Sequence, residues 1–63
     1  MGMTSISFPT GKRQIIENWC IKNISPRVYW IHNRQGGVGW HISENCVKLE
    51  DEKKAVFLIL ACL

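Results

Sequence analysis

Cysteine is scarce and odd in number. Cys20, Cys46 and Cys62 are the only three, and no two share a C-x-x-C spacing. Small secreted scaffolds carry a dense, even set, so a disulfide framework is excluded and reduced thiols in a cytoplasmic setting are expected. Structural zinc sites use ligand pairs close in sequence, and those are missing too; a zinc-stabilised domain is therefore the weakest alternative. Long hydrophobic runs are absent as well. The longest, Ala55–Leu63, has nine residues, roughly half of what a membrane-spanning helix needs, so no membrane partner is expected. The N-terminus lacks a basic stretch followed by an apolar one, so no secretory signal is expected. Neither G-x-G-x-x-G nor G-x-x-x-x-G-K-[ST] occurs, which removes dinucleotide binding and nucleotide hydrolysis. No repeat, low-complexity tract or linker divides the 63 residues, so residues 1–63 read as a single domain.

What is present is globular in composition: 46% hydrophobic and 21% charged residues, outside the range of disordered chains. A chain this short buries only about 60% of the surface its unfolded form exposes, leaving a marginal core that self-association as a two-fold dimer would enlarge. The net charge is +3 and uneven. Lys12, Arg13, Lys22, Arg27 and Arg34 stand against Glu17 alone in the first half, whereas the second half is slightly acidic. A basic half of this kind suits an acidic protein surface or nucleic acid.

Local patterns predict the elements. Thr4–Phe8 alternates polar and apolar residues and stops at Pro9, as a short strand does. Thr10 is a candidate N-cap for a main helix over Gly11–Asn23. Ile15, Ile16, Trp19 and Cys20 form its apolar stripe, with Lys12, Arg13, Glu17 and Lys22 on the water side. Ser25-Pro26 ends it. Arg27–Asn33 and Val38–Ser43 are rich in Val, Ile, Tyr and Trp and flank Arg34-Gln35-Gly36-Gly37, which predicts a hairpin turning on glycine. With a Gln35-Gly36 loop, Tyr29 faces Ile42, Ile31 faces Trp40, and Trp30, His32 and His41 share the outer face beside Arg34. A three-residue loop instead places Trp30, Trp40 and Ile42 inside; the first register is preferred because it leaves both histidines outside. Cys46–Leu49 reads as a further strand. Glu50-Asp51-Glu52 suits a helix N-terminus, where negative charge is favoured. Phe57–Leu63 is apolar all round and is expected to be buried from both sides, as helix or as return strand. The expected architecture is α+β: a small antiparallel sheet of three to four strands, one face covered by the main helix and a short C-terminal helix, the other face open.

The open face is the leading candidate site, since Trp30, His32, Arg34 and His41 combine an aromatic plane, hydrogen-bonding groups and a cation. Lys12 and Arg13 are added as a basic pair at a helix start, where an anion would relieve their conflict with the helix dipole. Gly36-Gly37-Val38-Gly39 does not open a helix, so it reads as turn rather than phosphate cradle. Cys46 and His41 lie near in sequence, but nothing places a third catalytic group, and a chain of this size has little wall for a water-excluding pocket. No enzymatic activity and no cofactor are expected.

Val47-Lys48-Leu49-Glu50-Asp51-Glu52-Lys53-Lys54-Ala55-Val56-Phe57-Leu58-Ile59-Leu60, preceded by Gly39-Trp40-His41-Ile42, resembles a pattern in small phage-encoded accessory proteins. That resemblance covers about the last third of the chain and carries over no functional residue. It implies a regulator or inhibitor that occupies a host protein's surface, and it implies a final strand over Leu58–Cys62. The leading expectation is thus a small binding module for a host or cellular protein. The alternative is a nucleic-acid binder using Trp30 and the histidines as a platform, with Lys12, Arg13, Lys22, Arg27 and Arg34 near phosphate.

Overall fold

A computed structural model describes residues 2–63. Strand β1 (Thr4–Ser7) leads through Pro9 into a short 3-10 turn (Thr10–Lys12) and helix α1 (Arg13–Asn23). Strands β2 (Arg27–Ile31), β3 (Arg34–Gly37), β4 (Trp40–Ile42) and β5 (Cys46–Leu49) follow, and helix α2 (Glu52–Cys62) completes the chain. The strands form one antiparallel sheet in the order β1-β5-β4-β3-β2. The α+β class, the main helix and the C-terminal helix are as the sequence predicts, and there are five strands rather than three or four.

The extra strand corrects the hairpin. The chain turns at His32-Asn33, where Ile31 pairs with Arg34, and again at Val38-Gly39, where Gly37 pairs with Trp40. His32 (φ 54°) and Gly39 (φ 90°) supply the left-handed backbone that two-residue turns require. Gly36 and Gly37, expected at the turn, lie inside β3 instead. A Cβ on Gly36 would come within 2.6 Å of the Tyr29 ring and 2.7 Å of the Trp40 carbonyl oxygen. One on Gly37 would meet the Trp40 indole nitrogen at 2.7 Å. These glycines permit close approach, which is the other reason a strand keeps one. Both expected registers fall with this: Tyr29 pairs with Gly36 rather than Ile42, and Ile31 with Arg34 rather than Trp40.

Both helices cover one face of the sheet. Ile6, Trp40, Ile42, Val47 and Leu49 point from that face into a core completed by Phe8, Ile16, Cys20, Ala55, Leu58 and Cys62. Helix α1 buries Ile16 and Cys20 as its stripe predicts, with Trp19 packed partly against the core and Ile15 left exposed. Glu17, assigned by periodicity to the water side, is buried. Thr10 starts the 3-10 turn and makes no side-chain cap; its hydroxyl instead accepts from the Asn45 side-chain amide at 3.0 Å.

Asp51 caps α2 by accepting from the backbone N–H groups of Lys53 (2.8 Å) and Lys54 (3.4 Å). This is the local reason the tail is helical. A return strand over Leu58–Cys62, which the phage-protein resemblance implied, is not formed; these residues belong to α2. Nor is the tail buried from both sides. Ala55, Leu58 and Cys62 enter the core, while Val56, Phe57, Leu60 and Leu63 face outward.

Candidate functional site

Among the described residues no helix covers the reverse of the sheet. Paired residues in a ladder point to the same side, so the register aligns Ser5, Lys48, His41, Gly36 and Tyr29 in one row across all five strands. Ile31 and Arg34 form a pair beside that row at one end of the sheet, Ser7 and Cys46 at the other. None of these strand residues is acidic.

At the centre, Tyr29 lies over the open space above Gly36 and stacks on His41, with ring centroids 5.8 Å apart and planes inclined by 26°. The Tyr29 hydroxyl is hydrogen-bonded to His41 Nδ1. Partial burial, then the charges of Arg34 and Lys48, hold the His41 pKa below its ordinary value. The imidazole is therefore mostly neutral near pH 7. A surface with two cations, a neutral His–Tyr pair and no carboxylate on its strands attracts anionic groups and offers aromatic area beside them. Where β1, β5 and the His32-Asn33 turn meet, an open hollow of about 760 Å³ continues this surface, lined by His32, Arg34, Ser43, Glu44 and Cys46 among others.

The sequence-predicted residues divide. Arg34 and His41 do share the bare face, and His32 sits at its rim in the turn. Trp30 does not. It pairs with Gln35, whose neighbour on β4 is the core residue Ile42, so Trp30 lies on the helix side of the sheet. There it is exposed beyond the reach of the helices, with the Arg27 guanidinium 5.0 Å from its ring centroid. Arg13 is not a free cation: it donates to the carbonyl oxygens of Ser43 (2.9 Å), Glu44 (3.3 Å) and Asn33, pinning the start of α1 to two loops. Lys12 lies in the 3-10 turn, and Arg27 reaches inward to Glu17 (3.2 Å) and Gln35 (2.6 Å). Gln35 in turn donates to Glu17 at 3.0 Å, completing a polar clasp that fastens β2 and β3 to α1.

Tyr29, Lys48 and this clasp were missed. All three depend on the two tight turns, and the signal for them was His32-Asn33. Asn is tolerant of left-handed backbone and His is among the enriched residues there, but glycine nearby was the stronger cue.

The cysteines are free. Burial, with Cys62 and Glu17 nearby, pushes the Cys20 thiol up to about 12, and burial raises Cys62 too. Cys46 Sγ lies 2.9 Å from Ser5 Oγ on the bare face, and among the described residues no hydrogen bond joins Cys46 to His41. Among the described residues no three His, Cys, Asp or Glu side chains gather as metal ligands, and no helix is long and apolar enough to cross a membrane. Comparison of the chain with known protein families, curated proteins and solved structures finds no match.

Proposed function

We propose that the chain is a non-enzymatic binding module that docks on an acidic surface of a host or cellular protein through the bare sheet face. The observation that carries this is the row of Tyr29, His41 and Lys48 with Arg34 beside it, cationic and free of strand carboxylates. Occupying a partner's surface is how a small regulator or inhibitor acts without a pocket of its own, and the phage-protein resemblance points the same way. Three unpaired thiols suit a cytoplasmic setting. A second function, nucleic-acid binding, draws on the Tyr29–His41 stack set between two cations, since stacked rings beside phosphate-neutralising groups make a single-strand platform.

Salt and charge reversal separate the two. Affinity capture from host extract is expected to retain one partner with the wild type and with Lys53→Glu, and to lose it with Arg34→Glu or Lys48→Glu. Capture indifferent to both reversals overturns the docking face. Labelled single-stranded DNA and RNA are expected to show no binding at low salt. A log–log salt slope of about −0.7 per phosphate would establish the nucleic-acid function instead.

A further inference from the structure

The structure points to a second interface, at the sheet edge that borders the docking face: we propose that two copies of the chain pair antiparallel through β2, continuing the five-stranded sheet into one of ten strands.

β2 ends the sheet, with β3 on one side and no strand among the described residues on the other. In an antiparallel ladder alternate residues direct their N–H and C=O groups away from the neighbour, so an edge strand offers a row of unpaired groups that only another strand satisfies in full. Folded proteins blunt such edges with Lys, Pro or inward-pointing charge. The opposite edge, β1, alternates Ser5 and Ser7 outward with Ile6 buried, and Pro9 follows closely. β2 has its proline (Pro26), its inward-pointing charge (Arg27) and its irregularity only at its start, and Tyr29–Ile31 carries none of these. Val28 (67% exposed), Tyr29 (38%), Trp30 (66%) and Ile31 (62%) are consecutive, and the strand's one charge, Arg27, is tied to Glu17. The irregularity between Arg27 and Tyr29 lies at the strand's start, leaving Tyr29–Ile31 in regular register.

A second copy fits this edge by symmetry. Antiparallel pairing about Trp30 sets Tyr29 beside Ile31 of the second copy on the bare side and brings the two Trp30 rings together on the helix side. The two Arg27 residues then lie at opposite ends, so like charges do not meet. With large aromatics burying about 150–250 Å² each when fully covered, the exposed parts of these four side chains amount to on the order of 500 Å² per copy. Two copies therefore bury at most on the order of 1,000 Å², the size of a weak, reversible interface. The other exposed apolar surface, formed by Val56, Phe57, Leu60 and Leu63 on α2, has no unpaired backbone within the helix to set a register.

Sedimentation velocity over a concentration series tests the pairing. The expected result is a reversible shift from one-chain to two-chain mass. Val28→Lys and Ile31→Lys, both at exposed positions, are each expected to raise the dimer dissociation constant by roughly tenfold or more, with circular dichroism unchanged. Leu60→Lys is expected to leave it as it is. Amide exchange of wild-type Trp30 is expected to slow as concentration rises. One-chain mass up to about 1 mM overturns the proposal, as does a dimer abolished by Leu60→Lys but not by the β2 lysines. Trp30 exchange that is independent of concentration, or that slows only when a foreign extended peptide is added, overturns it equally.

Discussion

Strand β4 and strand β2 are built from the same kinds of residue and live in opposite environments. Trp40 is 1% exposed and Ile42 fully buried, whereas Trp30 and Ile31 are mostly in water. Neither hydrophobicity nor β-propensity separates them. Position does: β4 lies in the middle of the sheet under both helices, and β2 lies at its margin, where the helix layer has run out. The inward-facing indole also has a partner for its polar atom, as Trp40 Nε1 donates to the Ser25 carbonyl at 3.0 Å and lies 3.1 Å from the Ser25 hydroxyl. The outer indole has a guanidinium beside its ring instead. A small protein thus spends its few helical residues on the sheet's centre and leaves one edge for contact with something else.

The contrast breaks first at the two tryptophans. Trp40→Ala is expected to cost about 3–5 kcal/mol, enough to unfold a domain of this size, because it removes the largest buried side chain and its hydrogen bonds. Trp30→Ala, measured at dilution that keeps chains apart, is expected to cost about 0.5–1 kcal/mol, the worth of an exposed cation–π contact. Urea unfolding of the two variants side by side reads the difference, and equal midpoints would mean that both indoles are core.

The clasp comes next. Glu17→Ala strips Arg27 and Gln35 of their shared acceptor and is expected to destabilise by roughly 1.5–3 kcal/mol. The half-exposed guanidinium can still turn to water, which keeps the cost below that of a fully buried pair. Amide exchange should accelerate in β2 more than in β5, since the clasp fastens only the former side of the sheet. Uniform acceleration would show that the two regions unfold as one.

The smallest effect is in pH. His41 has a folded-state pKa below its ordinary value, so as pH falls the unfolded chain takes up the proton first. Stability is then unaffected above about pH 7, declines as pH drops below the ordinary histidine value of about 6.5, and levels off once the folded imidazole titrates. His41→Gln is expected to flatten that part of the melting-temperature profile. An anionic partner on the bare face lifts the same pKa, so its binding should tighten from about pH 8 to about pH 6, with proton uptake visible by calorimetry in buffers of different ionisation heat.

Some features were legible residue by residue. Gly11–Asn23 reads as helix from the spacing of Ile16 and Cys20 and from Ser25-Pro26 beyond it, and α1 occupies Arg13–Asn23 of it; Asp51 reads as the start of α2 because its carboxylate has N–H groups one turn ahead to accept. These depend on chain neighbours only. Arg34 and His41 reached the right face although the register was wrong, because turning at His32-Asn33 and Val38-Gly39 instead of once at glycine keeps both on the side away from the helices. Trp30 did not, and Tyr29 and Lys48 went unseen, because their company depends on which strands lie next to which.

By itself the sequence determined the class of fold, the main helix, the acidic start of the C-terminal one, a core of alternating apolar residues and a basic first half, since propensity, periodicity and charge act over a few residues. Tertiary structure alone decided that Gly36 and Gly37 sit under Tyr29 and Trp40, that Glu17 is buried with Arg27 and Gln35, and that the apolar strand β2 is left at the rim. Those outcomes follow from strand order and from how far eleven-residue helices reach across five strands. That is a competition for space among distant parts of the chain, in which a residue's own chemistry has no vote.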